Sequence, residues 1–229
     1  MAVSIKSARE IELMREAGKR LAHVHQELEA MIAPGISTWE IDAKGEKLIR
    51  DCGCIPNFLH YNGYPASICV SVNDEVVHGI PRKDRYLKEG DIVSLDAGLI
   101  YKGYHSDAAR THAVGKVSTE AQKLMDVTKQ SFFEGIKMAK EGQHLHDISR
   151  AIEEYVTPYG YGIVRDLVGR GIGTALHEDP QIPNYAQKRR GVRLQAGMTL
   201  AIEPMINIGR SDVEWLDDDW TVVTEDGTY

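Results

Sequence analysis

The sequence predicts an α+β fold, and three observations carry that prediction. Apolar residues recur at spacings of three and four over an N-terminal segment, the mark of a helix with one buried face. Short β-branched runs of strand length follow it. The two longest of these, Ile92 to Tyr101 and Tyr104 to Val114, meet at Lys102-Gly103, which joins them as a β-hairpin and gives a largely antiparallel sheet. With 229 residues, 42% of them hydrophobic, and no linker or low-complexity tract, residues 1–229 read as a single domain with a proper core.

Each element has its own signal. Ile11, Met14, Ala17, Leu21, Val24, Leu28 and Met31 share one face of a helix between Ser7 and Ile32, which Pro34-Gly35 closes. A second helix starts at Ser37 or Thr38, either of which can cap it, and runs to Cys52-Gly53. Beyond a loop rich in Pro, Asn, Gly and Tyr, the run from Ser67 to Val72 predicts a strand. After the hairpin come helices over Ser118 to Lys140 and His144 to Tyr155. Strands near Gly162 to Arg165, Met198 to Ile208 and Trp220 to Thr224 alternate with glycine-rich loops.

Composition excludes several classes of function. No run reaches the roughly 18 apolar residues of a membrane span, and the charged residues from Lys6 to Arg20 are unlike a signal peptide, so a soluble cytoplasmic protein is expected. Three cysteines (Cys52, Cys54 and Cys69) fit reduced thiols rather than a disulfide framework, and Cys52-x-Cys54 lacks a second ligand pair for zinc. The net charge of −7 argues against direct nucleic-acid binding. All of it lies in residues 211–229, where Asp212, Glu214, Asp217, Asp218, Asp219, Glu225 and Asp226 occur without a Lys or Arg.

Three constellations could carry chemistry. If Lys102-Gly103 is a two-residue turn, Asp96 faces Ala109, and Asp107 projects from the same face of the sheet as Asp96. Such a carboxylate pair suits a divalent cation; otherwise a bulge turns one acid to solvent or Arg110 neutralises them. Glu203 stands in the apolar run Thr199 to Met205, where it calls for a metal or for a salt bridge to a core arginine, and Pro204 interrupts regular pairing beside it. His78 and His177 both follow apolar residues and precede turn formers, a position that suits either functional or hydrogen-bonded structural histidines. The Gly169-x-Gly171-x-Gly173 run lacks the βαβ context of a dinucleotide loop.

Taken in order, Asn73 to Pro81, Asp96, Asp107, the glycine run with His177-Glu178-x-Pro180, and Ala201 to Met205 resemble the type I methionine aminopeptidases of bacteria, over essentially the whole chain from Ile5. The resemblance implies a pita-bread fold of two pseudo-symmetric halves around two divalent metal ions, manganese, iron, cobalt or zinc. It also implies a cytoplasmic metallo-aminopeptidase that removes the first methionine from nascent chains near the ribosome, by attack of a metal-activated water. It assigns Asp96, Asp107 and Glu203 as metal ligands, with His78, His177 and Glu203 as catalytic groups. Phe58, Tyr61, Tyr64, Cys69 and Trp220, together with His78 and His177, become the substrate-binding set, the aromatic and sulfur groups suiting a thioether.

Two positions depart from the family pattern. Arg170 stands where the family has a histidine ligand, and a permanently protonated guanidinium cannot ligate a metal. The family's second glutamate ligand belongs to a strand beyond Tyr229. Trp220 to Thr224 followed by the Asp226-Gly227 turn likewise reads as a hairpin truncated before its return strand. The sequence therefore predicts an impaired or inactive enzyme whose Arg170 bonds Asp107 or Glu203. The alternative is a pita-bread protein that binds peptide N-termini without cleaving them; a prolidase-like peptidase has less support.

Overall fold

The structure is a computed structural model that describes residues 3–229. Helix α1 (Ala8–Glu29) begins in a capping box: the Ser7 hydroxyl accepts from the Glu10 N–H, and the Glu10 carboxylate accepts from the Ser7 N–H at 2.7 Å. Helix α2 (Thr38–Asp51) repeats the device with Ser37 and Glu40 and stops at Cys52-Gly53. Strands β1 (Ile55–Pro56) and β2 (Ile68–Val72) pair one after the other along one edge of β4 (Ile92–Tyr101), and β5 (Tyr104–Ala113) pairs along the other. Helices α1 and α2 cover this sheet and bury Ala17, Leu21, Val24, Leu28, Ile41 and Ile49 against Ile68, Val70, Leu95 and Leu99. Each of the larger aliphatic side chains contributes about 2 kcal/mol of burial free energy.

The second half repeats the plan with shorter strands. Helices α3 (Thr119–Met138), capped by Ser118, and α4 (Leu145–Val156) pack on β6 (Gly162–Ile163), β7 (Gly169–Gly171), β8 (Glu178–Ile182), β9 (Leu200–Ala201) and β10 (Ile206–Asn207). Each half brings one helix close through a glycine. A Cβ on Gly45 would lie 2.4 Å from the Ile68 side chain, and one on Gly135 would lie 2.9 Å from that of Ile152. A third sheet joins β3 (Glu75–Val77) to β12 (Val222–Thr224) and β11 (Val213–Trp215).

Several elements differ from the sequence prediction. The strand expected over Met198 to Ile208 is split into β9 and β10 by the segment containing Pro204, which has no N–H for a ladder. Gly169–Gly171, expected as loop, is a central strand between β8 and β9. The strand predicted from Trp220 begins at Val222 and has neighbours on both edges, β3 and β11, where an unfilled partner position was expected. Asp226-Gly227 does form a turn, with the Gly227 N–H on the Thr224 carbonyl. Among the described residues no helix is long and apolar enough to cross a membrane.

Candidate active site

Lys102 and Gly103 both take positive φ, 48° and 85°, as a two-residue hairpin turn of the primed kind requires. That turn sets the register: Tyr101 opposes Tyr104, Asp96 opposes Ala109, and Asp107 opposes Gly98. Asp96 and Asp107 therefore share a face, with Cys69 of β2 opposite Asp96 on the other side. Arg110 opposes Leu95, points to the other face and is exposed, so it does not neutralise the pair.

The neutralising cation comes from the other half of the molecule. Arg170 of β7 pairs with Ala201 of β9, two residues before Glu203. Its Nη1 donates to Glu203 Oε1 at 2.5 Å, and its Nη2 donates to Asp107 Oδ2. Of the two readings open for Glu203, the salt bridge to a core arginine is the one observed. Rather than gripping one acid with both nitrogens, the guanidinium spans two. Arg170 and Asp107 are buried, at 7% and 8% side-chain exposure, whereas Glu203 keeps 38%. Asn184 fixes the backbone at this break, its side-chain amide donating to the Glu203 carbonyl at 2.7 Å.

Charge crowding shows in the acids. Burial pushes the Asp96 carboxyl well above the usual range, and the negative charges of Asp107 and Glu203 push it further. Burial likewise moves Glu203 up to about 7, with Arg170 opposing the shift. Burial alone would lower the Arg170 pKa, but Glu203 and Asp107 outweigh it and keep the guanidinium charged.

Beside the acids lies an aromatic pocket. Phe58, Tyr64 and Cys69 are buried in one cluster with Ala66, Ile172 and Leu176, and Tyr61, Ile80 and Trp220 pack against it. Trp220 meets Tyr64 edge-on at 5.1 Å and His78 at 6.3 Å. His78 takes φ 61°, an uncommon conformation for a residue with a Cβ. The next residue is fixed on both sides: Gly79 N–H donates to Ser71 Oγ, and the Tyr64 hydroxyl donates to the Gly79 carbonyl at 2.9 Å. His177 stacks on Tyr61 at 5.4 Å and shares a 2.9 Å hydrogen bond between Nδ1 and the phenol. Burial lowers the pKa of both histidines, so they are neutral at pH 7.

All the residues predicted for the pocket thus converge, as do Asp107, Arg170 and Glu203. Sequence reasoning missed Asn184 and Ile172. Ile172 sits inside the glycine run, where an apolar residue between Gly171 and Gly173 was its only signal.

The profile of metallopeptidase family M24 matches residues 12–226, nearly the whole chain. A methionine aminopeptidase of Clostridium acetobutylicum is 52% identical over 226 residues, covering 99% of this chain and 90% of the relative. The chain belongs to the methionine aminopeptidases. Methionine aminopeptidase 1 of Bacillus subtilis is 51% identical, with 97% and 89% coverage. The crystal structure of the methionine aminopeptidase of Thermotoga maritima superposes with a TM-score of 0.97 at 44% identity, covering 99% of this chain and 91% of that one. The fold is accordingly the pita-bread fold of this family.

Membership of a metallopeptidase family implies use of a divalent metal. The donor set present here does not fit a pair of such ions. Asp107 and Glu203 each spend an oxygen on Arg170, whose cation fills the space between them. Among the described residues no three His, Cys, Asp or Glu side chains are arranged to hold a metal.

Proposed function

We propose that this chain is a cytoplasmic member of the family that takes polypeptides beginning with methionine, emerging from the ribosome, and holds the methionine side chain among Phe58, Tyr61, Tyr64, Cys69 and Trp220. A buried wall of aromatic rings and one thiol supports that choice, since a thioether is well held by such neighbours. The peptide's ammonium would face Asp107 and Glu203, each of which gives one carboxylate oxygen to Arg170. Neutral His78 and His177 would each offer an N–H to the first peptide carbonyl, and Glu203, whose pKa burial raises to about 7, would accept or return a proton.

The observation that carries the proposal further is the guanidinium bridging Asp107 and Glu203. Arg170 stands where the family's histidine ligand would be and holds the acids in place of manganese, iron, cobalt or zinc, so hydrolysis is impaired while recognition persists. The same bridge favours the second reading, a binder of methionyl N-termini that does not cleave them.

One experiment tests both. Calorimetric titration with manganese and release of methionine from Met-Ala-Ser should be compared for the natural chain and for Arg170→His. Weak manganese binding and slow release by the natural chain, with both improved at least about tenfold by the histidine, are expected. Absence of release with retained peptide binding selects the binder. Release by the natural chain as fast as by the variant rejects the stand-in role of Arg170.

A further inference from the structure

Lys6 lies in the extended segment before α1 and is buried, 7% exposed, although lysine is among the residues least often found inside. Its backbone N–H donates to the Gly197 carbonyl at 2.8 Å. Its ammonium donates to Glu178 Oε2 at 2.5 Å, with the two side chains 4% and 15% exposed. The other oxygen, Glu178 Oε1, accepts from the Ala175 N–H at 3.1 Å.

Both charged groups press directly on the chain at Gly173. A Cβ there would stand 2.5 Å from Glu178 Oε1 and 2.5 Å from Lys6 Cε, so no other residue fits without moving the pair. On its far side the Gly173 carbonyl accepts from the His105 N–H at 2.8 Å. The loop from Gly173 to Glu178 is thereby held between the N-terminal segment and β5, and it carries Leu176 of the pocket and His177. No ladder bond fixes His177 itself; besides its bond to Tyr61, it is held through its neighbour Glu178, whose carboxylate Lys6 and the Ala175 N–H anchor. Burial would raise the Glu178 pKa, but the bonds from Lys6 and from Ala175 N–H more than offset it and keep the acid charged.

We infer that Lys6 is a positioning residue for His177: by fixing Glu178 it sets the angle at which the imidazole meets Tyr61 and faces the pocket. Its ion pair is with Glu178, whereas Asp107 and Glu203 pair with Arg170. Removing its charge frees Glu178 to rotate, and the loop follows. The inference rests on the reading of His177 as a substrate-facing group, but its first test does not need substrate.

That test is the imidazole nitrogen spectrum of the ligand-free protein, with His177 assigned by its loss in His177→Gln. In Lys6→Met the His177 signals should shift while those of His25 and His146 stay in place. Lys6→Arg, which restores the charge, should return them. Affinity for Met-Ala-Ser should fall about tenfold in Lys6→Met and recover in Lys6→Arg. If Lys6→Met does not fold, Glu178→Gln breaks the same pair from the other side. Unmoved His177 signals in either variant overturn the inference, as does a Lys6→Arg protein as altered as Lys6→Met, which would mark Lys6 as packing alone. A natural chain that binds no Met-Ala-Ser defeats the proposed substrate and leaves the positioning role to be decided by the spectrum.

Discussion

The two halves bring their charged groups to the centre by different means. Asp96 and Asp107 ride on ten-residue strands whose ladder runs unbroken from Ile92↔Ala113 to Tyr101↔Tyr104, so backbone pairing alone fixes their spacing. Arg170 comes from a strand of three residues, β7, with a register shift at Arg170/Gly171, and Glu203 lies two residues past the end of the two-residue β9, directly before Pro204. Side chains complete what the short ladder leaves unfinished: Asn184 on the Glu203 carbonyl and Thr199 Oγ1 on the Ile172 carbonyl at 2.5 Å. Backbone regularity places acids without reference to their charge. On the irregular side, placement depends on charge and on individual hydrogen bonds.

The sharpest test sets Asp107 against its neighbour. Asp107→Ala leaves the buried Arg170 guanidinium with only Glu203, and unfolding in urea should show a loss of about 3 to 5 kcal/mol. Asp96→Asn removes an acid that its surroundings already disfavour as an anion, so its stability should stay close to that of the natural chain. Equal losses for the two would mean that backbone placement, rather than the cross-half ion pairs, governs the centre.

The regular half has a weakness of its own, in acid. His25 of α1 is buried, its Nε2–H donating to the Ala108 carbonyl at 2.8 Å, and burial lowers its pKa to about 4. Unfolded, it titrates near the ordinary value of 6.5. Above that pH both states are neutral and the contribution is complete. As pH falls, the unfolded chain takes the proton first, so stability declines from pH 6.5 down to about 4, by about 3 kcal/mol in all. Urea midpoints at pH 7 and pH 4.5 should diverge less in His25→Gln; an unchanged slope would mean that other groups govern acid unfolding.

A smaller loss is expected at the break beside Glu203. Asn184→Ala should cost about 1 to 2 kcal/mol, because it strands a carbonyl that no ladder reaches. Thermal unfolding would measure it, and an unchanged midpoint would show that the irregular half tolerates such losses after all.

Legibility in the sequence follows the same division. The pairing of Asp96 with Ala109 was readable because one turn, Lys102-Gly103, fixes a long register and side chains alternate with period two. Both capped N-terminal helices were readable for similar local reasons. The Arg170 bridge is different: 33 residues separate it from Glu203, and β7 and β9 are too short to show a period. What pointed to it was the resemblance, which puts Arg170 at a ligand position beside Asp107 and Glu203, together with the need of buried carboxylates for a cation. Strands β3 and β11, three residues each, were missed for want of a pattern, and with them the neighbours that flank β12.

The charge asymmetry of the chain acquires a spatial meaning from the third sheet. Acidic residues 212–219 frame β11 and its turn into β12; β12 pairs with β3, which leads directly to His78, and Trp220 packs on the pocket cluster. A negative field thus stands at one edge of the pocket, while the remaining 210 residues balance at 27 basic and 27 acidic side chains. A peptide arriving with its ammonium first descends that gradient before any contact forms, which raises encounter frequency without adding a bond. Because ions at physiological strength screen such fields beyond about 8 Å, capture of methionyl peptides should slow as salt is added, while dissociation changes little.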